Sequence, residues 1–250
     1  MAESAASRDC RLFQAHTRSR KTHRKRVEQP GNVMTAQTRP KVVLMGGYPG
    51  AGKTTQVALL ADVMGATVFS AGPLLRKEAD SGSPLGKVFL SYSSQGIRAP
   101  DHVACEILRA PLLRVLGEPS NTVISDGFPK SAAQLDFLEN ICASHVVGMI
   151  YLDASEEVLL TRASQRRHCE SCGPVRHGEE NCPLCRRPTQ VRYDDNPQVV
   201  QNRLRTYAAS NQEVVGILAD RGVLVRVDGN ETPETVAKAV HAAYLGLFGR

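Results

Sequence analysis

Residues Gly47-Tyr48-Pro49-Gly50-Ala51-Gly52-Lys53-Thr54 combine the residue types and the spacing that hold a polyphosphate. Gly47, Gly50 and Gly52 let the backbone curl until its N–H groups converge on one point. A helix that starts there adds partial positive charge. Lys53 supplies a point charge for β- and γ-phosphates, and Thr54 or Thr55 offers a hydroxyl to Mg²⁺. The bland alternative is a glycine turn with an incidental lysine. It loses because every fixed position of the pattern is filled and the flanks are right. The apolar run Lys41–Met45 precedes the loop, and the helix-compatible stretch Gln56–Met64 follows it.

The second signal is an acidic position at a strand end. Val123-Ile124-Ser125-Asp126-Gly127 reads as a buried strand ending in a carboxylate. Beside a phosphate loop, Asp126 is the natural Mg²⁺ partner, usually through water. Taken alone, an Asp-Gly turn would explain it equally well. The third signal is Cys169-x2-Cys172 with Cys182-x2-Cys185. Thiolates at this spacing can complete a tetrahedral Zn²⁺ site, and four of them make it closed and structural. Nine residues separate the pairs, fewer than the roughly 15–20 common in such sites, so the loop between them is abbreviated. His168 and His177 read as spacers in preference to substitute ligands. Two disulfides are the alternative. The total of seven cysteines is odd, with Cys10, Cys105 and Cys142 isolated. That favours a reducing compartment over a secreted disulfide framework.

These residues need a scaffold that brings strand ends together. From Lys41 onward, short apolar strands alternate with helical stretches. The expected strands are Lys41–Met45, Ala66–Ser70, Thr122–Ser125, Val146–Leu152 and Val223–Val227. The expected helices are Gly52–Met64, Gly72–Asp80, Pro84–Ser94, Pro100–Gly117, Ser131–Ala143, Glu156–His168, Pro197–Arg221 and Pro233–Phe248. Such alternation predicts an α/β fold with a five-stranded parallel sheet between two helical layers. The ligand site should lie at the carboxyl ends of the strands.

Charge is unevenly placed. Residues 1–40 hold nine Lys/Arg and three acids, net +6, so residues 41–250 are balanced at 22 against 22. A neutral body without tryptophan argues against a general nucleic-acid binder. The basic tail fits disorder, or an upstream extension before a start at Met34. A transit peptide and a basic arm are the competing readings. No apolar run approaches the roughly 20 residues that span a bilayer. A cytoplasmic monomer is expected, with organelle targeting by the tail left open.

Beyond single motifs, G-Y-P-G-A-G-K-T-T-Q, D-G-F-P-K-S-A-A-Q and R-Y-D-D-N-P-Q-V-V-Q-N-R-L together resemble the adenylate kinases, and more broadly the nucleoside monophosphate kinases. Ser81-Gly82-Ser83 with Leu85-Gly86-Lys87, and Gly96 with Pro100-Asp101, add to the resemblance, which runs from about residue 41 to 249. It implies a three-layer P-loop NTPase fold with a helical monophosphate-binding insert and a small zinc-bearing lid. The core would be residues 41–69, 101–167 and 194–250, the monophosphate region 70–100 and the lid 168–193. The implied reaction is reversible, Mg²⁺-dependent transfer of the γ-phosphoryl of ATP to AMP.

Carried over by position, the resemblance gives each residue a role. Gly50, Ala51, Gly52, Lys53, Thr54 and Thr55 would cradle ATP phosphates, and Val175 would cover the ATP adenine. Arg76 would hold the monophosphate and Gln134 its adenine edge, in a site lined by Ala71, Gly127, Phe128, Pro129 and Lys130. Arg162, Arg166, Arg192 and Arg203 would meet the phosphates as the lid closes. Arginine suits the task because its planar fork binds phosphate bidentately and stays charged. Arg162 and Arg166, four apart, would share one helix face. A solvated helix with salt bridges is the bland reading of these arginines, and the phosphate loop upstream displaces it.

The chain departs from the family pattern at the acceptor side. Ser70-Ala71-Gly72-Pro73 stands where Ser-Thr-Gly-Asp is usual, Lys130 where arginine is usual, and Thr54 where glycine is usual. AMP is the favoured acceptor because Gln134 is kept. A different or relaxed acceptor (CMP, UMP or dAMP) is the alternative, and a non-catalytic nucleotide- or nucleic-acid-binding module is the reading from another class.

Overall fold

The computed structural model describes residues 40–118, 122–141, 144–175, 178–191 and 197–249. Five parallel strands form the centre: β1 (Lys41–Gly47), β2 (Thr67–Ser70), β3 (Thr122–Asp126), β4 (His145–Asp153) and β7 (Leu224–Asp228), in the order β2-β3-β1-β4-β7. β1 is buried from Val42 to Gly47 because helices cover both faces. Its side chains alternate between two cores. Val42 and Leu44 join Phe69, Leu108, Leu112 and Leu218 on one side, and Val43 and Met45 join Leu60, Ile150, Val240 and Leu247 on the other.

The helices are α1 (Lys53–Met64), α2 (Ala71–Asp80), α3 (Pro84–Ser93), α4 (Asp101–Leu116), α5 (Ala132–Asp136), α6 (Glu156–Ser164), α7 (Pro197–Asp220) and α8 (Pro233–Phe248). Helices α1 and α8 cover one face, and α4 covers the other. The expected three-layer parallel architecture is therefore present. Among the described residues, no helix is long and apolar enough to cross a membrane. The helices α2 and α3 form a close hairpin beyond β2. A side chain at Gly86 would put its Cβ 2.0 Å from the Glu78 carbonyl oxygen, so only glycine allows this approach. Ser83 caps α3 by accepting from the Gly86 N–H at 2.9 Å.

Two element boundaries differ from expectation. The stretch expected as a helix over 131–143 is α5 followed by one wider π-type turn, Phe137–Ile141, with Cys142 and Ala143 outside the described residues. The helix expected to reach His168 ends at Ser164, whose hydroxyl turns back to the Thr161 carbonyl at 2.8 Å. Residues Arg167–Cys169 instead form β5, antiparallel to β6 (Gly173–Val175). The backbone of His168 also exchanges two hydrogen bonds with Gln190, both 2.8 Å. That long-range pairing overrides the local helical pattern. Arg162 and Arg166 consequently do not share a helix face: Arg162 is in α6 and Arg166 in the connection after it.

Candidate active site

The phosphate loop lies between β1 and α1. Gly47, Gly50 and Gly52 have φ of 129°, 95° and 92°, a region that L side chains avoid. A Cβ at Gly47 would also sit 2.7 Å from the Leu152 carbonyl oxygen. The loop is closed by the Ala51 N–H donating to the Tyr48 carbonyl at 3.1 Å. The Lys53 ammonium folds back over it, donating to the Gly47 carbonyl at 2.6 Å and the Tyr48 carbonyl at 2.8 Å. Ala51 is buried, while Thr54 and Thr55 are exposed at the start of α1.

β3 lies beside β1 in parallel register, with Met45 opposite Asp126. Asp126 therefore meets the loop, and its carboxylate accepts from the Thr54 hydroxyl at 2.7 Å. The turn after it, Gly127-Phe128-Pro129-Lys130, leads into α5. Its Lys130 faces a cavity beside the loop. Gly72, Leu75 and Arg76 of α2 line one wall, with Gly96, Ile97 and Arg98 of the segment before α4. Phe128, Lys130 and Gln134 line a second, and Arg203, Thr206 and Tyr207 of α7 a third. Ala71 is 1% exposed in the first turn of α2, so it offers the cavity no polar group.

The site is strongly cationic. Burial pushes the Lys53 ammonium down to about 7, against the pull of Asp126, with Lys130, Arg166 and Arg203 adding repulsion. Burial likewise lowers Lys130 to about 8, helped by Arg203, Arg98 and Arg76 and opposed by Asp126. Two lysines and four arginines thus act on one another around Asp126, while Asp101 lies beside Arg98 alone among them in the described residues. Such an excess of one sign is the signature of a site built for a polyanion.

Gln134 occupies the third position of α5, after the Ser131 cap, whose hydroxyl accepts from the Gln134 N–H at 3.2 Å. Its side-chain amide is engaged on both ends, with Lys130 and Asp101. Arg162 is directed elsewhere than the cavity. Its guanidinium donates to the carbonyls of Gly229 at 2.8 Å and of Asn230 and Glu231 at 3.3 Å each. Val175 ends β6 opposite Arg167. Arg192, like His177, lies outside the described residues.

Among the lining residues that escaped the sequence reading are Tyr207, Thr206 and Arg98. Tyr207 accepts from the Gly47 N–H at 3.2 Å, stacks on Tyr48 with ring centroids 4.9 Å apart and lies 5.8 Å below the Lys53 ammonium. Its burial raises its phenol well above the ordinary value, so it stays neutral. Thr206 lies beside it, and both fall one helical turn from Arg203, which was the available signal. Arg98 sits between Gly96 and Pro100-Asp101, inside a stretch already singled out.

The four clustered cysteines do meet. The sulfurs of Cys169, Cys172, Cys182 and Cys185 all lie within 4.8 Å of one another. Cys169 and Cys185 are 3.5 Å apart and the thiols are free, too far for a disulfide bond of about 2.05 Å. Four sulfurs at Zn–S distances of about 2.3 Å would be separated by a little under 4 Å, so the donor set fits tetrahedral zinc. Burial works to raise the Cys169 thiol, but backbone N–H groups of Cys172 and Ser171, with the Cys185 and Cys182 sulfurs, bring it to about 7, while Cys185, burial and the other neighbouring sulfurs push Cys172 up to about 12. A turn in which the Arg186 N–H donates to the Cys182 carbonyl at 2.8 Å holds the second pair. His168 is not part of the sulfur cluster.

Comparison with known proteins agrees with this geometry. The family model "Adenylate kinase" matches residues 44–223. The chain is 32% identical to an adenylate kinase of Chlamydia muridarum over 217 residues, 80% of this chain and 86% of that protein. It is 32% identical to one of Pyrococcus furiosus over 200 residues, 75% and 88% of the two chains. A third, from Agathobacter rectalis, is 30% identical over 217 residues, 83% of this chain and 99% of that protein. The phosphate loop, the acid at the end of β3 and the matched span agree: the chain belongs to the adenylate kinase family of nucleoside monophosphate kinases.

Proposed function

We propose that the protein is an ATP:AMP phosphotransferase, reversibly making two ADP. The observation that carries this reading is one continuous cationic site with two halves. The phosphate loop and Lys53 form one half, and Lys130, Arg76 and Arg203 form the other, with Asp126 between them. Phosphoryl transfer needs in-line positioning and cations on the equatorial oxygens, with little covalent help. A monophosphate oxygen attacks the γ-phosphorus and the bond to the β-bridging oxygen breaks, leaving ADP on each side. No general base is required. Lys53 follows the transferring group, and Gly50 to Thr55 hold the ATP phosphates. Arg76, Lys130 and Arg203 hold the acceptor phosphate, while Gln134 reads the base. Mg²⁺ bound with ATP would be held by Thr54 or Thr55 and, through water, by Asp126, where it neutralises charge on the phosphates.

In this reading residues 70–100 form the monophosphate region and 168–193 the lid. Zn²⁺ on Cys169, Cys172, Cys182 and Cys185 would staple a segment too small to bury its own core. Arg166, Arg192 and Arg203 would close on the phosphates when both substrates are bound. Arg162 would have to leave its carbonyl partners at 229–231 to join them. Ala71, Pro73 and Lys130 favour a second reading, a kinase with a relaxed acceptor. Assaying AMP, CMP, UMP, GMP and dAMP with ATP separates the two. AMP used best supports the proposal, activity with CMP or UMP alone removes the adenylate assignment, and no diphosphate from any acceptor removes the kinase.

A further inference from the structure

The amide of Gln134 is held in one orientation by a closed ring of polar contacts. Its Oε1 accepts from the Lys130 backbone N–H at 2.8 Å, and its Nε2 donates to Asp101 Oδ1 at 2.8 Å. The ring closes on the far side: Asp101 Oδ1 lies 3.6 Å from Arg98 Nη2, and Arg98 Nη1 donates to the Lys130 carbonyl at 2.8 Å. Gln134 is 2% exposed, so its amide takes its partners from the protein, while the Arg98 and Asp101 side chains keep 33% and 27% of their surface in solvent.

A carboxamide is ordinarily ambiguous, because its oxygen and nitrogen are alike in size. Here the partners remove the ambiguity. A backbone N–H can only donate, and an ionised carboxylate can only accept. Turning the amide over would set its NH₂ against the Lys130 N–H and its oxygen against the Asp101 carboxylate. Both contacts would then be repulsive, donor against donor and acceptor against acceptor. Among the described residues nothing takes the second lone pair of Oε1 or the second N–H of Nε2, and Gln134 lines the cavity. The pair left over complements an exocyclic amino group beside a ring-nitrogen acceptor, as on adenine or cytosine. It opposes a carbonyl beside a ring N–H, as on hypoxanthine, guanine or uracil.

We propose that the Asp101–Arg98–Lys130 ring makes the acceptor site select amino bases over keto bases, with Asp101 and Arg98 as positioning residues acting through Gln134. This rests on reading the cavity as the acceptor-base site. Lys130 takes part through its backbone, so the selection does not depend on its side chain.

The test compares kcat/KM for AMP and IMP, with ATP as donor, in the full-length zinc-loaded protein. These acceptors differ only in the amino or oxo group at C6 and the ring proton that goes with it. Asp101→Ala is expected to shrink the AMP-over-IMP ratio about tenfold or more. Asp101→Asn, whose carbonyl still accepts from Nε2, keeps most of the ratio. Arg98→Ala gives a smaller, several-fold loss. A merely structural role would lower both acceptors together and leave the ratio unchanged, and an unchanged ratio in Asp101→Ala overturns the proposal. If that variant does not fold, an unchanged ratio in Arg98→Ala overturns it instead. Wild-type protein that uses IMP as readily as AMP overturns the lock but not the kinase. Wild-type protein that makes no ADP from AMP removes both.

Discussion

The two halves of the site are built by different means. The phosphate-loop half is mostly backbone: three glycines at positive φ and one lysine at the start of α1 that folds back onto the loop carbonyls. Its sequence matches the general phosphate-loop pattern without exception. The acceptor half is mostly side chains, drawn from α2, the segment before α4, the turn after β3, and α7. On that side lie Ala71, Pro73 and Lys130, where the resemblance led to other residue types being expected. Backbone geometry tolerates little change, because a Cβ at Gly47 would collide with the Leu152 carbonyl. A wall of side chains from four elements can be exchanged piece by piece. On the roles proposed above, donor chemistry is the fixed part of this site and acceptor choice the adjustable part.

The largest test of that contrast is Lys53→Ala, which should lower kcat at least about a hundredfold with every acceptor. A coupled ADP assay reads this directly, and a loss confined to one acceptor would break the donor–acceptor division. Zinc removal comes next. Chelation should lower the melting temperature by roughly 5 °C or more. It should raise KM for ATP more than for AMP, since Arg166 and Val175 flank or belong to the stapled segment. Unchanged stability, with less than one zinc per chain by elemental analysis, would contradict the structural metal.

Lys130→Arg addresses the acceptor half alone. Restoring a bidentate fork should lower KM for AMP about three- to tenfold while KM for ATP stays constant. A parallel change in both constants would show that the halves are not separable. The smallest effect is a linked proton. Free Lys53 titrates near 7 and Lys130 near 8, both depressed chiefly by burial. A bound phosphate favours the charged ammonium and raises each lysine pKa, so the lysines take protons up on binding. The phosphate's own second ionisation, at about 6, is lowered by the same cations and releases protons there, so the lysine uptake is read above about pH 7.5, where the phosphate is already fully ionised. ATP uptake should be present at about pH 8, and AMP uptake should set in about one pH unit higher than ATP uptake. Calorimetry at about pH 8 in two buffers of different ionisation enthalpy measures the uptake, and proton release on ATP binding at that pH would reverse the assigned sign.

Much of the fold was legible because its signals are local. Each expected strand from β1 to β7 corresponds to an observed one with ends shifted by a residue or two. Buried parallel strands read as apolar runs wherever they fall in the sheet. Element ends were less legible. α6 stops short because residues 167–169 pair with β6 and with Gln190, more than twenty positions away for the latter. No local propensity announces that pairing, and its loss of helix removes the shared face of Arg162 and Arg166. Ser131-x-x-Gln134 carries a capping-box spacing, which signals that Gln134 can bond back to backbone near the cap as well as face the cavity. It reaches the Lys130 N–H one residue before the cap.

The residues alone were enough to identify the phosphate loop, the acid that ends β3, the paired cysteines and the family. Each is a pattern of residue types over a few positions, where backbone freedom and side-chain chemistry act directly. Only the tertiary structure decided which groups face one another. Tyr207 supports Gly47 across 160 positions, and Asp101 orients Gln134 across 33. The strand order β2-β3-β1-β4-β7 puts Asp126 beside Met45 and hence beside Thr54. Contacts at such separations exist only after the sheet has assembled, because the closure entropy of those loops is offset by burial of the two cores rather than by the contacts themselves.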